Sequence, residues 1–435
     1  MKILRAGEEG FDQYLSEVTG RLGREGADLE GEVRSILEDV RQRGDRALIH
    51  YTWLFDRVRV ELSGLQVKRG EVKEAYRRVP SDFLSTLEKA ARRIRNFHRR
   101  QRQKPASRLP SPARSERGIR LGQMTQPLEK VGIYVPGGKA SYPSTVLMAA
   151  IPARVAGVQQ IFITTPPRKE GIDPAVLIAA DMAGVDKIYQ IGGVQAIAAL
   201  AYGTASIPKV DKIVGPGNRY VATAKRLVYG IVDIDMVAGP SEIVVIADGK
   251  IPPAFVAADL ISQAEHDEMA LAVLITTSET FGREVSKELD SQLASLKRKK
   301  IASLSLGRRG AILVVKGLDQ ALEVANRIAP EHLELGVMNP VRLLKRVKHA
   351  GAVFLGRYTP EAIGDYLAGP NHILPTAGTA RFSSPLGVED FLKKTNLISF
   401  SLEALRRFEK DVKRFADHEG LEGHYRAVQI RMKKK

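Results

Sequence analysis

From Val131 onward the sequence alternates between short β-rich runs and single helical segments. The predicted strands are VGIYV, IFITT, KIYQIGG, KIVGPG and IVVIAD, and one helix lies between each strand and the next. Strands joined by single helices pair in parallel, because each right-handed crossover places its helix on a face of the sheet. The sequence therefore predicts a parallel α/β sheet in this region.

A second series of the same kind begins near Phe255. The helix FVAADLISQAEH, the strand LAVLITT, a long helix through Leu296, the strand AILVV, the helix ALEVANRIA and the strand GAVFLG follow in that order. We therefore predict an α/β fold with two units that each contain a parallel sheet. The first hundred residues and the last fifty are predicted to be helical, and KPASRLPSPARSERG is predicted to be a linker.

The length and composition limit the class of protein. A chain of 435 residues exceeds one ordinary domain, and 44% apolar with 27% charged residues is typical of a globular protein. We expect no secretory signal in MKILRAGEEG and no membrane span, and hence a cytoplasmic location. The chain has no cysteine, so any metal must bind nitrogen and oxygen ligands.

The net charge of +17 raises nucleic-acid binding as an alternative function. Its basic clusters include RRIRNFHRRQRQK and KRKK, which contain few aromatic residues for base stacking. No nucleic-acid-binding motif is visible, so we do not expect nucleic acid to be the main partner. A solvated basic surface explains the same charge.

Glycine-rich turns follow two of the predicted strands, in VPGGKAS and GPGNRY. Such turns bind nucleotides in many parallel sheets, but the G-x-G-x-x-G fingerprint is missing after every predicted strand. From the turns alone, nucleotide binding therefore stays open.

Four polar segments carry candidate site residues. In ISQAEHDE, Gln263 and His266 share one helix face, which suits half of a metal site or an exposed helix end. In IAPEHLEL, Glu331 and His332 suit acid–base catalysis or a helix start. The other two segments are EAIGDYLAGPNHILPT, with Asp365 and His372, and DHEGLEGHYRA, with His418, Glu419, Glu422 and His424. Spacing alone does not choose among these residues.

Several of these segments together resemble the histidinol dehydrogenase family. The resemblance covers nearly the whole chain, and its stretches occur in the family's order: VGIYVPGGKASYPSTVLM, GGVQAIAALAYGT, VDKIVGPGN, AGPSEIVVIAD, DLISQAEHD, APEHLEL, GDYLAGPNHILPT and RFSSPLGVEDF. It implies two incomplete Rossmann-like units, for which the missing fingerprint is normal. It also implies oxidation of L-histidinol to L-histidine through the aldehyde, with NAD as the oxidant and one zinc ion per subunit.

The resemblance also assigns roles to individual residues. Glu331 and His332 match the family's acid–base pair. The metal ligands are implied to be Gln263, His266, Asp365 and His424, and the NAD-binding residues Tyr134, Gln195 and Asn218. The implied substrate-binding residues are Ser241, Gln263, His266, His332, Asp365, His372, Glu419 and His424.

Four segments and a homodimer are expected on the same basis. The segments are an N-terminal extension (1–25), a first α/β domain (26–133 plus 242–385), an NAD-binding domain (134–241) and a helical tail (386–435). The tail is expected to complete the site of the partner subunit. A same-fold dehydrogenase for another alcohol, such as a sulfonated diol, is the alternative, although His372 and Glu419 suit a cationic amino alcohol better.

Overall fold

The computed structural model describes residues 1–21, 27–101, 116–137 and 141–432. The chain divides into two compact units, one formed by 1–101 and 129–391 and the other by 102–128 and 392–435. In the described ranges, no helix combines the length and the apolar character that crossing a membrane requires. Most of the predicted linker lies outside the described residues. The basic residues that precede it, from Arg102 onward, lie outside them as well.

The described strands are, in chain order, β1 (Lys2–Arg5), β2 (Ile119–Pro127), β3 (Lys130–Tyr134), β4 (Gln160–Thr165), β5 (Lys187–Gln190), β6 (Lys212–Val214), β7 (Asp233–Ile234), β8 (Glu242–Ala247), β9 (Leu271–Thr276), β10 (Ala311–Val314), β11 (His332–Gly336), β12 (Ala352–Leu355) and β13 (Leu392–Phe400).

The described α-helices are α1 (Glu9–Thr19), α2 (Ala27–Arg43), α3 (Asp45–Asp56), α4 (Arg69–Arg78), α5 (Ser81–Gln101), α6 (Pro143–Ala156), α7 (Pro174–Ala183), α8 (Gly193–Tyr202), α9 (Arg219–Val228), α10 (Pro253–Ala264), α11 (Glu279–Ala294), α12 (Lys299–Arg308), α13 (Leu318–Ile328), α14 (Pro340–Leu343), α15 (Glu361–Tyr366), α16 (Leu402–Glu419) and α17 (Glu422–Gln429). Short 3₁₀ turns lie at Leu62–Gly64, Leu344–Arg346, Thr379–Arg381, Val388–Phe391 and Ile430–Met432.

The first compact unit contains two parallel sheets. One has six strands in the order β1-β10-β9-β8-β11-β12, and the other has five in the order β5-β4-β3-β6-β7. Every pairing within the two sheets is parallel. This confirms the predicted α/β class with two parallel-sheet units.

Helices cover both faces of the six-stranded sheet, so its central strands are buried throughout. On one face Val244 and Ile246 of β8 pack with residues of α1 and α13, and on the other Ile243 and Val245 pack with α10 and α11. Because successive side chains point to opposite faces, a strand buried on both sides must be apolar at every position. That is why IVVIA was recognisable as a strand from its sequence.

The five-stranded sheet is covered in part by the N-terminal helices. Val33 and Leu37 of α2 and Leu48 of α3 share an apolar core with Ile197 of α8 and with Phe162 of β4. Helices α2 and α3 therefore pack in the core of this sheet. The four-segment division expected from the sequence stays a prediction.

Two strands, β1 and β13, differ from the helical prediction, and β2 lies outside the regions predicted to be helical. Lys2–Arg5 forms β1, which pairs with β10 at the edge of the six-stranded sheet. In the second compact unit, Ile119–Pro127 and Leu392–Phe400 form an antiparallel ladder, so the tail begins as a strand and becomes helical only at α16. The residues of β13 alternate weakly and are mostly exposed, which left no buried strand pattern in the sequence.

Candidate active site

Glu331 and His332 lie at the amino-terminal end of β11, beside the first residue of β8. Ala329 ends helix α13 in the left-handed conformation, with φ 50°, and Pro330 follows it, so the chain turns sharply into the strand. Both side chains are almost fully buried. The alternative prediction, that a helix starts in this segment, is wrong, because strand β11 begins at His332.

The backbone of Glu242 binds both members of this pair. Its N–H donates to Oε2 of Glu331 at 2.9 Å, and its carbonyl oxygen lies 2.9 Å from Nδ1 of His332. A carbonyl can only accept, so Nδ1 carries the proton when the imidazole is neutral. The second ring nitrogen, Nε2, then has a free lone pair.

Burial shifts the pKa values of Glu331 and His332 in opposite directions. It lowers the pKa of His332 to about 4, because the charged imidazolium loses its hydration. It raises the pKa of Glu331 well above the ordinary 4.5, despite the hydrogen bond from Glu242, and the nearby carboxylates of Glu361 and Asp365 add to the rise. A neutral imidazole therefore stands beside a carboxyl group of increased basicity.

Glu361 and Asp365 face the same imidazole from α15. They are four residues apart on the helix, so their side chains share one face. Nε2 of His332 lies 3.9 Å from Oε1 of Glu361, and one ligand atom each of His332, Glu361 and Asp365 lies within 4.8 Å of the others. Nitrogen and oxygen donors at this spacing suit a divalent cation such as zinc.

His372 lies against Asp365 in the loop after α15. Its Nδ1 is 2.9 Å from the carbonyl oxygen of Asp365 and 3.5 Å from Oδ1 of the same residue. Burial alone raises the pKa of Asp365, but the contact with His372 and the charges of the neighbouring histidines outweigh it and lower the pKa to about 2. The carboxylate is therefore ionised and ready to bind a cation.

Gln263 and His266 come from the carboxyl end of α10. Gln263 is completely buried, and neither polar atom of its amide has a hydrogen-bond partner in the described structure. A buried amide without partners is costly, so it indicates a ligand that is bound in the working protein. His266 follows the helix and influences the charge state of both His332 and Asp365, which places it at the same site.

Three further predicted residues are Ser241, Glu419 and His424. Ser241 directly precedes β8, and its carbonyl oxygen accepts from Leu271. Glu419 ends α16, and His424 lies on α17; both are exposed residues of the second compact unit. Glu361 was not singled out from the sequence, although its position four residues before Asp365 in EAIGD was the signal available.

The predicted cofactor residues lie at the carboxyl edge of the five-stranded sheet. Tyr134 ends β3, and its hydroxyl accepts from the N–H of Gly193 at 3.2 Å. Gln195, in the first turn of α8, is completely buried with both amide atoms unpartnered. Asn218 caps α9 by accepting from the N–H groups of Tyr220 and Val221. Such strand ends and helix starts are where parallel sheets bind dinucleotides.

Gly193 is required for this arrangement. Its φ of +63° is a left-handed conformation, and a Cβ at this position would lie 2.7 Å from Oε1 of Gln195. A larger residue would therefore displace the amide of Gln195. The unpartnered amide and the glycine turn together fit a bound polar ligand such as NAD.

Comparisons with known proteins identify the family of the chain. The family model for histidinol dehydrogenase matches residues 21–432. A histidinol dehydrogenase from Syntrophotalea carbinolica is 54% identical over 433 residues, covering 100% of this chain and 99% of the relative. One from Geobacter sulfurreducens is 52% identical over 434 residues, covering 100% of both chains.

The fold agrees as well. The crystal structure of histidinol dehydrogenase from Elizabethkingia anophelis superimposes with a TM-score of 0.91 at 36% identity, covering 99% of this chain and 98% of that one. Sequence, fold and the chemistry of the buried pair thus lead to one conclusion. The chain belongs to the histidinol dehydrogenase family of oxidoreductases.

Proposed function

We propose that the chain oxidises L-histidinol to L-histidine in two successive steps, through L-histidinaldehyde that stays bound to the enzyme. This is the last step of histidine biosynthesis. The observation that carries the proposal is the buried pair Glu331 and His332, which the backbone of Glu242 holds beside the carboxylates of Glu361 and Asp365. The pair supplies two bases of different strength, as two unlike proton transfers require.

His332 acts as the base in the first oxidation. The alcohol carbon can lose a hydride only as its oxygen loses a proton, so the enzyme needs a neutral base near that oxygen. The lowered pKa of His332, about 4, leaves the imidazole neutral at physiological pH. Nε2 accepts the alcohol proton, while the bond from Nδ1 to Glu242 fixes the ring.

Glu331 acts in the second oxidation. Water must add to the aldehyde carbon before a second hydride can leave, and its proton must go to a base as the C–O bond forms. The burial that raises the pKa of Glu331 makes its carboxylate a stronger base for that water. His332 then accepts the hydroxyl proton of the hydrated aldehyde as the second hydride departs.

The metal site fits one zinc ion per subunit. We propose Gln263, His266, Asp365 and His424 as its ligands, supported by the unpartnered amide of Gln263 and by the ionised carboxylate of Asp365. When bound, zinc supplies a Lewis acid that orients the substrate and polarises its oxygen. Glu361, which faces Asp365, is an additional ligand candidate.

The cofactor is NAD, with Tyr134, Gln195 and Asn218 as its binding residues. The support is the completely buried, unpartnered amide of Gln195 at the carboxyl edge of the five-stranded sheet. When bound, NAD accepts one hydride in each oxidation. The chain's own contribution is to hold the cofactor at this edge of the sheet.

The substrate contacts and the assembly are proposed from the family. Ser241, His372 and Glu419 would bind the amino alcohol, with the carboxylate of Glu419 facing its ammonium group. We propose a cytoplasmic homodimer in which Glu419 and His424 enter the partner subunit's site. The exposure of both residues within their own compact unit supports this assignment.

The direct test is the number of NADH molecules formed per L-histidinol consumed, with purified protein and limiting substrate. We expect two NADH per substrate, loss of activity after chelation, and recovery when zinc is added. One NADH per substrate would contradict the role of Glu331. No NADH from histidinol, with turnover of a sulfonated diol instead, would contradict the proposed substrate.

A further inference from the structure

Arg21 and Glu242 form a buried ion pair outside the catalytic pair itself. The side chains are 5% and 3% exposed. The guanidinium binds the carboxylate with two hydrogen bonds, Nη2 to Oε2 at 2.8 Å and Nε to Oε1 at 2.5 Å. This two-point geometry is specific to arginine and fixes the orientation of the carboxylate.

The same guanidinium also binds two backbone carbonyls. Nη1 donates to the carbonyl oxygen of Val18 in α1, and Nη2 donates to that of Ile328 at 3.0 Å. Ile328 is the last residue of α13, directly before the turn at Ala329 and Pro330 that leads to the catalytic pair. Arg21 therefore connects the start of β8 with the turn that introduces Glu331 and His332.

Glu242 transmits this constraint through its backbone. Its N–H and its carbonyl belong to two successive peptide groups, and each binds one member of the pair at 2.9 Å. The angle between those peptide groups is set by the backbone angles of Glu242. Because Arg21 holds the side chain of Glu242, it restricts those angles and the two hydrogen bonds together.

We propose that Arg21 is a positioning residue that aligns both Glu331 and His332 through Glu242. The inference rests on the proposed function, since it concerns the acid–base pair of that reaction. Arg21 would touch neither substrate nor cofactor. It also neutralises a carboxylate that, with Glu361 and Asp365, faces Glu331 and disfavours its ionised form.

A purely structural ion pair is the competing explanation, and the chain offers a matched control. Arg5 binds Glu279 with the same two-point geometry, Nε to Oε2 and Nη2 to Oε1, both at 2.8 Å. That pair is 47% and 31% exposed, and neither residue contacts the catalytic pair. Arg5→Lys therefore changes a similar ion pair in the same N-terminal segment without affecting Glu242.

The test compares Arg21→Lys with Arg5→Lys in the full-length, zinc-loaded enzyme. Lysine keeps the charge but cannot bind the carboxylate at two points. We expect kcat on L-histidinol and on supplied L-histidinaldehyde to fall at least about tenfold in Arg21→Lys, since small misplacements of catalytic groups are costly. Arg5→Lys should retain the wild-type kcat.

The pH profile separates positioning from a loss of folded enzyme. A weaker N–H bond from Glu242 raises the pKa of Glu331, so the acid limb of aldehyde oxidation should move to higher pH in Arg21→Lys. A smaller folded fraction lowers the rate at every pH and leaves the limb in place. Equal profiles and equal kcat in Arg21→Lys and Arg5→Lys would overturn the inference.

A second variant covers the case in which Arg21→Lys does not fold. Glu242→Gln keeps the size of the side chain but loses one of the two oxygen acceptors that bind Arg21. Its lost charge also changes the pKa of Glu331, so the readout for this variant is kcat, which should fall at least about tenfold on both substrates if Arg21 acts through Glu242. A folded Glu242→Gln enzyme with the wild-type kcat would overturn the inference. A wild-type enzyme without activity on histidinol would instead overturn the proposed function.

Discussion

Nδ1 of His332 lies 2.9 Å from the carbonyl oxygen of Glu242, and this contact decides which nitrogen can act as a base. The carbonyl only accepts, so the neutral ring keeps its proton on Nδ1 and presents the lone pair of Nε2. Nε2 faces Glu361 at 3.9 Å, on the side where the candidate metal ligands meet. The nitrogen that can act as a base, Nε2, thus faces the candidate metal ligands Glu361 and Asp365.

His332→Asn is expected to impair both oxidations, because each requires loss of a hydroxyl proton. We expect kcat to fall about a hundredfold or more on L-histidinol and on the aldehyde. The wild-type His332 has a pKa lowered to about 4, so its base form is complete at pH 6 and is lost only as the pH falls toward 4. Stopped-flow measurement of NADH at pH 4–9 tests this, and a variant that loses only one oxidation would contradict the shared role.

Glu331→Gln is expected to slow the oxidation of the aldehyde more than the oxidation of the alcohol. Only the second step needs a base for water, so we expect about a hundredfold loss on supplied aldehyde and a much smaller loss of the first hydride transfer. Since burial raises the pKa of Glu331, the wild-type aldehyde rate should increase with pH through that raised value, and the variant should lack the increase. Equal losses of rate on the alcohol and on the aldehyde would contradict a role of Glu331 in the second step alone.

Metal content should distinguish two ligand sets that share Asp365. The family resemblance implies Gln263 and His266, whereas the cluster of possible ligand atoms in the structure contains His332 and Glu361. We expect His266→Asn to lose zinc and Glu361→Gln to keep one zinc per subunit, as determined by elemental analysis after dialysis against a weak chelator. The reverse result would replace His266 with Glu361 in the ligand set.

The alternation of strands and helices predicts both sheets because strands buried on two faces are apolar at every position. The same rule fails at β11, where the buried positions include His332 and Glu334. Those polar side chains are tolerated because backbone groups form hydrogen bonds with them. The carbonyl oxygen of Glu242 binds Nδ1 of His332, and the N–H of Glu361 donates to Oε1 of Glu334 at 2.7 Å. A strand that carries a site therefore departs from the hydrophobic pattern by which strands are recognised.

The position of the site is also beyond local sequence reasoning. Ligands of parallel sheets usually bind at the carboxyl ends of the strands, which fits Tyr134, Gln195 and Asn218. Glu242 and His332 instead begin β8 and β11, so the acid–base pair lies at the amino edge of its sheet. Glu361 joins them only because α15 folds back over β11, a tertiary contact that its spacing from Asp365 does not encode.

Asp56→Asn is expected to stabilise the protein at pH 8 and to have no such effect at pH 4. Burial raises the pKa of Asp56 from its ordinary value of 3.8 to about 6, and Oδ2 has no hydrogen-bond partner in the described structure. The cost of the buried charge is absent below pH 3.8, grows as the pH rises from 3.8 to 6, and is complete above 6. Partial exposure reduces the gain from removing it to about 1 kcal/mol, which urea denaturation at both pH values measures. An equal gain at pH 4 would show that the charge is not the cause.

Mixing two inactive variants tests whether the C-terminal segment completes the partner's site. His332→Asn inactivates the site that is formed by its own chain, and His424→Asn inactivates whichever site receives that tail. If the tail is exchanged, each mixed dimer has one site with both substitutions and one intact site. Co-expression should then restore about a quarter of the wild-type activity, because half of randomly assembled dimers are mixed.

The control for this experiment is each variant expressed alone, which should stay inactive at the same protein concentration. Mixed dimers can be isolated with two different affinity tags, so their activity is measured without the parent dimers. If His424 acts within its own subunit, every site in a mixed dimer carries one substitution and no activity returns. Because the two outcomes differ by presence or absence of turnover, the result decides between exchange and self-completion even if the variants differ in stability.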